Sequence, residues 1–273
     1  MTTTPYIQFA SQEAATDNKQ TTTPWSPAKT ASTYEDMVLK PEYAARRLRF
    51  ENGMNWFRIV PAFKSSAFGW MLGVHALGFE GGRFAHPKTL ERGAKSVFDH
   101  AYAWIKERRP ELLFSKTNKR GARLLSDPLC AFWAVIEEEG QTVARIFLGS
   151  GYDGSRGGPQ GLGYQIWQAS KERDERGEPV ADIVGPERGV LVCVERTKSK
   201  DAKYPRYTLR LGRQPAPVDA AIAKMDSAEM RALCPLEQTV RQLTEEEQWK
   251  CLERVIDPAT AALIRSDVEG GAL

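Results

Sequence analysis

The stretch LCAFWAVIEEEGQTVARIFLGS, residues 129–150, constrains the fold most. Two runs of large apolar and β-branched residues flank a turn at Glu139-Gly140, which reads as strand, turn, strand. A second strand–loop–strand pattern lies in GVLVCVERTKSKDAKYPRYTLRL, residues 189–211. Upstream, LRFENGMNWFRIVPAF alternates large and polar residues around Glu51-Asn52-Gly53, another hairpin signal. GWMLGVHALGF (69–79) reads as one or two further strands, with a turn at Gly81-Gly82. Five or more short strands between about residue 46 and residue 213 suit a small barrel or sandwich.

Helical signals surround and interrupt this β pattern. In residues 89–109 Val97, Ala101, Trp104 and Ile105 fall on one helical face, and Pro110 ends the run. A short helix is expected at YQIWQASKERD, after the glycine-dense loop GYDGSRGGPQGLG (151–163). Gln214-Pro-Ala-Pro217 reads as a linker into a helical C-terminal part. There Asp226-Ser-Ala-Glu229 and Thr244-Glu-Glu-Glu247 are capping boxes or close variants, and Asp257 precedes a helix-starting Pro258. Residues 1–33 are rich in Thr, Ser, Ala and Gln and carry few large apolar groups, so burial there does not offset ordering entropy. The expected organisation is a disordered tail over 1–40, a core over 41–217 with a helical insertion at 89–109, and a helical, mildly acidic extension over 218–273.

The net charge of +3 conceals an uneven distribution. Residues 41–125 hold 16 Lys/Arg against 7 Asp/Glu, while residues 236–273 hold 4 against 8. A basic centre with acidic ends points to a polyanion partner for the centre. The four cysteines form no CxxC pair, which is the usage of a reducing cytosol. The first residues have no basic-then-apolar pattern of a secretory signal, and no run of about 18 apolar residues is present, so a cytoplasmic protein without a membrane span is expected.

Catalytic and metal signatures are sparse. The three histidines, His75, His86 and His100, belong to no HExxH motif, and with Cys130 they offer no close ligand pair, so no metal is expected. The glycine-dense loop lacks the GK[ST] ending of a phosphate-binding loop. Asp99, Asp127 and Asp153 are scattered, and no enzyme or cofactor is called for.

Aromatic residues beside cations are plentiful. FSKTNKRGARLL (114–125) carries four bases and no acid, and TKSKDAKYPRYTLR (197–210) carries five bases and two tyrosines. Binding of single-stranded nucleic acid needs cations for phosphates and aromatic faces for unstacked bases. Trp56, Trp70, Trp104 and Trp133 sit in apolar runs and read first as core. Phe114, Tyr204 and Tyr207 have polar neighbours and suit exposed stacking, although two residues three apart in a strand face opposite ways and need a loop or bulge to act together.

The order of segments resembles that of the helix-destabilising, single-stranded-DNA-binding proteins of T-even phages. NWFRIVPAF (55–63) is similar to that family's opening strand, and FGWMLGVHALGF (68–79) to the next. FSKTNKRGARLLSDPLCAFWAVIEEEG (114–140) is similar to its basic segment running into an aromatic-rich strand. GLGYQIWQ (161–168) resembles its Gly-aromatic-x-Ile-Trp helix start, and GVLVCVERTKSKDAKYPRYTLR (189–210) its closing hairpin. The resemblance implies a chain mainly β with helical insertions (α+β), built on an OB-fold-like five-stranded barrel. It implies phosphate contacts from Lys116, Lys119, Arg120 and Arg123 and base contacts from Phe114, Trp133, Tyr204 and Tyr207. Tyr152 and Arg156 on the glycine-rich loop, which would close over the strand as a flap, and Lys198, Lys200, Lys203 and Arg206 on the hairpin complete the expected site. Three departures accompany it: the family's zinc subdomain, basic N-terminal arm and strongly acidic C-terminal tail are not reproduced.

The function expected from this reading is sequence-tolerant coating and protection of single-stranded DNA in phage-like or plasmid-like replication or recombination. Self-association along DNA and contacts to replication or recombination proteins through the C-terminal helices go with it. The alternative is an oligomerising structural or adaptor protein assembling through those helices, with RNA or no nucleic acid as ligand.

Overall fold

The computed structural model describes residues 38–61, 71–76, 83–87, 94–113, 124–155, 159–177, 180–185, 188–198 and 205–271. In chain order these form α1 (Pro41–Ala44), β1 (Gly53–Ile59), β2 (Met71–Ala76), β3 (Arg83–Ala85), α2 (Val97–Arg108), β4 (Asp127–Glu138), β5 (Gln141–Ser150), α3 (Leu162–Lys171), β6 (Val190–Thr197), β7 (Arg206–Pro215), α4 (Val218–Ile222), α5 (Ser227–Ala232), α6 (Glu245–Val255) and α7 (Pro258–Glu269). No described helix is long and apolar enough to cross a membrane. The chain divides into two compact units, one built around Ala45–Ser66 and Cys130–Leu236, the other around Ser32–Ala44, Ala67–Leu129 and Glu237–Leu273.

The first unit is a five-stranded antiparallel open sheet in the order β5-β4-β1-β6-β7. The β4–β5 hairpin forms as its sequence predicts. Glu139 and Gly140 take φ of 51° and 79°, the left-handed pair that lets a two-residue turn follow strand twist. β6 and β7 pair from Thr197↔Arg206 to Val190↔Pro215, with one irregularity between Val190 and Val192. The predicted hairpin at Glu51-Asn52-Gly53 does not form. The turn is made by Asn55, whose side chain accepts from Glu51 N (3.0 Å) and donates to the carbonyls of Glu51, Gly53 and Val194. The chain before it pairs elsewhere: Arg47 bridges Ile146 of β5 in parallel, with Leu48 N donating to Ile146 O at 2.8 Å.

The expected barrel is corrected by β7. None of its ten residues is buried, whereas a barrel stave turns alternate side chains into a filled interior. Among the described residues β7 therefore ends an open sheet. The sheet core is aromatic: Phe132 and Phe147 stack at 4.5 Å, and Phe57 lies 6.0 Å from Phe132. On the other face Arg58, 1% exposed, donates to the carbonyls of Ala216, Ile183, Val190 and Gly185, tying the loop after residue 180 and the Pro217 linker to β1. Gly189 makes this possible, since a Cβ there would occupy the space of the guanidinium.

The second unit is mainly helical. Its core joins Phe84, Val97, Phe98, Ala101, Trp104 and Ile105 to Trp249, Leu252 and Ile264, so the apolar faces of α2, α6 and α7 meet. Fully burying each large apolar side chain contributes about 1.5–3 kcal/mol. Capping boxes at Ser96/Asp99 and Thr244/Glu247 begin α2 and α6. Asp257 caps α7 by accepting from Thr260 N at 2.8 Å, with Pro258 as its first residue. α4 and α5 belong to the sheet unit, α6 and α7 to the helical unit.

Candidate nucleic-acid interface

Strand alternation decides what the β6–β7 hairpin presents. Arg196 pairs with Tyr207 and Thr197 with Arg206, while Glu195 pairs with Thr208 and Cys193 with Arg210. Residues opposite one another share a face. Tyr207 and Arg196 therefore lie on the face of the phenylalanine core, and Arg206, Thr208 and Arg210 on the other. Tyr207 is 39% exposed and meets Phe50 edge-on at 6.1 Å. Phe50 in turn lies 6.1 Å from Phe57 and 6.0 Å from Phe147. The tyrosine is the solvent end of a row of packed rings, which fixes its orientation and leaves part of it uncovered.

Cations crowd this end of the sheet. Lys198 and Arg206 are exposed and form no ion pair with another described residue. Arg210 donates to Glu195 at 2.5 Å, and Arg196 to Asn52 Oδ1 at 2.7 Å. A flexible cation beside a held aromatic ring is the combination that binds a phosphate next to a stacked base.

Of the residues expected at the site, Lys198, Arg206 and Tyr207 lie at the same end of this hairpin, with Arg206 on the face opposite Tyr207. Phe114, Lys116, Lys119, Arg120, Arg123, Arg156, Lys200, Lys203 and Tyr204 lie outside the described residues. Tyr152 is partly buried, and its carbonyl accepts from Gly161 N at 2.8 Å, which closes the glycine-rich loop onto the start of α3. Trp133 is a correction. It is 2% exposed and its Nε1 donates to Cys234 O at 2.8 Å, so its ring is part of the core and offers no face to a base.

Two groups of residues were not placed at the site from the sequence, where Trp56 reads as core. On β1, Met54 is 45% exposed and Trp56 is partly exposed, on the face that carries Arg206 and Arg210. The signal was there: strict alternation from Asn55 to Ile59 sends Trp56 away from Phe57. On α3, Tyr164 and Trp167 are partly exposed with centroids 5.5 Å apart, and Lys171 Nζ sits 4.0 Å over the indole.

Cys130 and Cys193 are packing groups. Burial raises the Cys130 thiol far above its ordinary range and pushes Cys193 up to about 11. Among the described residues no three His, Cys, Asp or Glu side chains converge as metal ligands do. The sequence matches no protein-family model and no curated protein, so the likeness to the T-even phage helix-destabilising proteins rests on the order and pattern of its segments.

Proposed function

We propose that this protein binds single-stranded DNA with little sequence preference, on a sheet related to the OB fold, and shields exposed strand during replication or recombination of phage-like or plasmid-like DNA in the cytoplasm. The observation that carries this reading is Tyr207, held by Phe50 with Arg196 opposite it on the same face of the β6–β7 hairpin and with the exposed Lys198 and Arg206 at the same end of the two strands. A base stacked on such a ring contributes about 1–3 kcal/mol and tolerates any sequence, because every base has a π-face. The cations supply a phosphate term that falls with salt, by about 0.7 in log–log slope for each contact to a single strand. No catalytic step and no cofactor enter this reading. The segment order supports the same function through the family it resembles, and self-association along the strand and recruitment of replication proteins by the C-terminal helices belong to the proposal. The adaptor alternative draws less support, because Trp249, Leu252 and Ile264 turn the apolar faces of α6 and α7 into their own unit's core.

The test is quenching of intrinsic fluorescence by oligo-dT at rising salt. Binding at low salt that weakens steadily is expected, with Lys198→Ala plus Arg206→Ala weakening binding to every sequence alike and lowering the slope by about 1.4. No binding at low salt, or an affinity indifferent to salt, overturns the proposal.

A further inference from the structure

We infer that the outer face of α3 is a second platform for the same single strand, with Tyr164 and Trp167 receiving bases and Lys171 a phosphate; this rests on the single-strand reading above. Positions 164, 167 and 171 recur at the spacing that places side chains on one helical face. The adjoining face is anchored. Gly163 and Ile166 are buried, and a Cβ on Gly163 would lie 2.5 Å from Cys130 Cβ and 2.6 Å from Gly149 O. That close backbone approach to the β4–β5 hairpin sets the roll of the helix, so the two rings cannot turn inward and remain partly exposed.

The pair is not packed as a closed core would be. The rings are tilted by 35° at 5.5 Å, and Lys171 rests over the indole in place of a neighbouring side chain. Stacking of a nucleobase on an aromatic ring is worth more than an exposed cation–π contact. A base arriving on Trp167 therefore displaces the ammonium, which is then free to meet the phosphate that comes with it.

Charge selects the occupant. Along α3, from Leu162 to Lys171, Lys171 is the one charged residue, so the helix offers a cation and no carboxylate to a polyanion that also presents flat π-systems. α3 packs against β5 and against β7, the strand carrying Arg206 and Tyr207, so both platforms stand on neighbouring elements of one unit. A strand engaging both occupies more nucleotides than the hairpin alone covers.

Photo-cross-linking of the full chain to long oligo-dT substituted with iododeoxyuridine tests this directly. Adducts at Tyr164 or Trp167, in addition to those on the β6–β7 hairpin, are expected. Adducts confined to the hairpin overturn the second platform and leave the single-strand reading intact, whereas no adduct and no binding overturn that reading itself. Trp167→Ala is expected to weaken binding about fivefold to a hundredfold while Trp167→Phe retains most of it. Equal losses in the two variants, or none in either, count against stacking at this position.

Discussion

In the sheet unit, irregular chain is held by buried polar groups. Arg58 gathers four carbonyls, Asn55 closes a turn with both ends of its amide, and Glu229 accepts from Arg46 at 2.8 Å and from Ala144 N at 2.9 Å. In the helical unit the interior is an apolar seam, and its polar groups work mainly at helix ends: Ser96 with Asp99, Thr244 with Glu247, Asp257 with Thr260. The difference follows from backbone accounting. Helices satisfy their own amides except at the termini, whereas a sheet unit with long connections must find partners for loop carbonyls it buries. Specific geometry is therefore concentrated in one unit and bulk apolar packing in the other.

The largest test of that contrast is Arg58→Ala. It strands buried carbonyls in several segments at once and is expected to destabilise the sheet unit by about 1–3 kcal/mol for each carbonyl left without a donor, measured by denaturant unfolding followed through the β signal in circular dichroism. A loss under about 1 kcal/mol would show that water or neighbouring side chains satisfy those carbonyls equally well. Leu252→Met is the matching change in the helical unit, where similar volume is tolerated at a cost below about 1.5 kcal/mol. If it costs as much as Arg58→Ala, packing detail governs both units and the contrast fails.

The smallest effects lie at the caps. Thr244→Ala removes one side-chain acceptor from α6 and is expected to cost about 1 kcal/mol. The Thr244 N–H and hydroxyl hold Glu247 below the usual carboxylate range, and the Thr260 side chain and N–H do the same for Asp257. Because both folded values are depressed, their stabilisation is present above the ordinary carboxylate range and lost as pH falls through the depressed values. Thermal melts from neutral to acid pH should show that loss, and Glu247→Gln should shrink it. A pH response unchanged in Glu247→Gln would place the acid sensitivity elsewhere.

Locally encoded features were legible in the sequence. The β4–β5 turn needed only Glu139-Gly140 and its flanking apolar runs, and α6 and α7 needed only their caps and periodicity. What failed depends on partners distant in the chain. Asp226-Ser-Ala-Glu229 reads as a capping box, but only half of it forms: Asp226 accepts from Ala228 N and Glu229 N, while the Glu229 carboxylate goes to Arg46 and Ala144. The alternation before Gly53 suggests a hairpin, yet Arg47 finds Ile146. Trp133 and Trp56 look alike in composition, but only register tells that one ring is enclosed by the core and the other partly uncovered. Lys198, Arg206 and Tyr207 were singled out from composition, and a short hairpin keeps such neighbours in sequence close in space. The platform on α3 was not, because its exposure depends on how Gly163 seats against Cys130 and Gly149.

The position of β1 between two hairpins bears on the route to the native state. Trp56 faces Cys193 and Arg58 faces Val135, so the central strand is synthesised first but acquires its neighbours only after both hairpins exist. Pairings so distant in sequence slow folding, and an unpaired apolar strand invites association with other chains while it waits. As this protein emerges from the ribosome, the segment from Met54 to Val60 is its most exposed liability, and the arrival of β6 is the event that removes it.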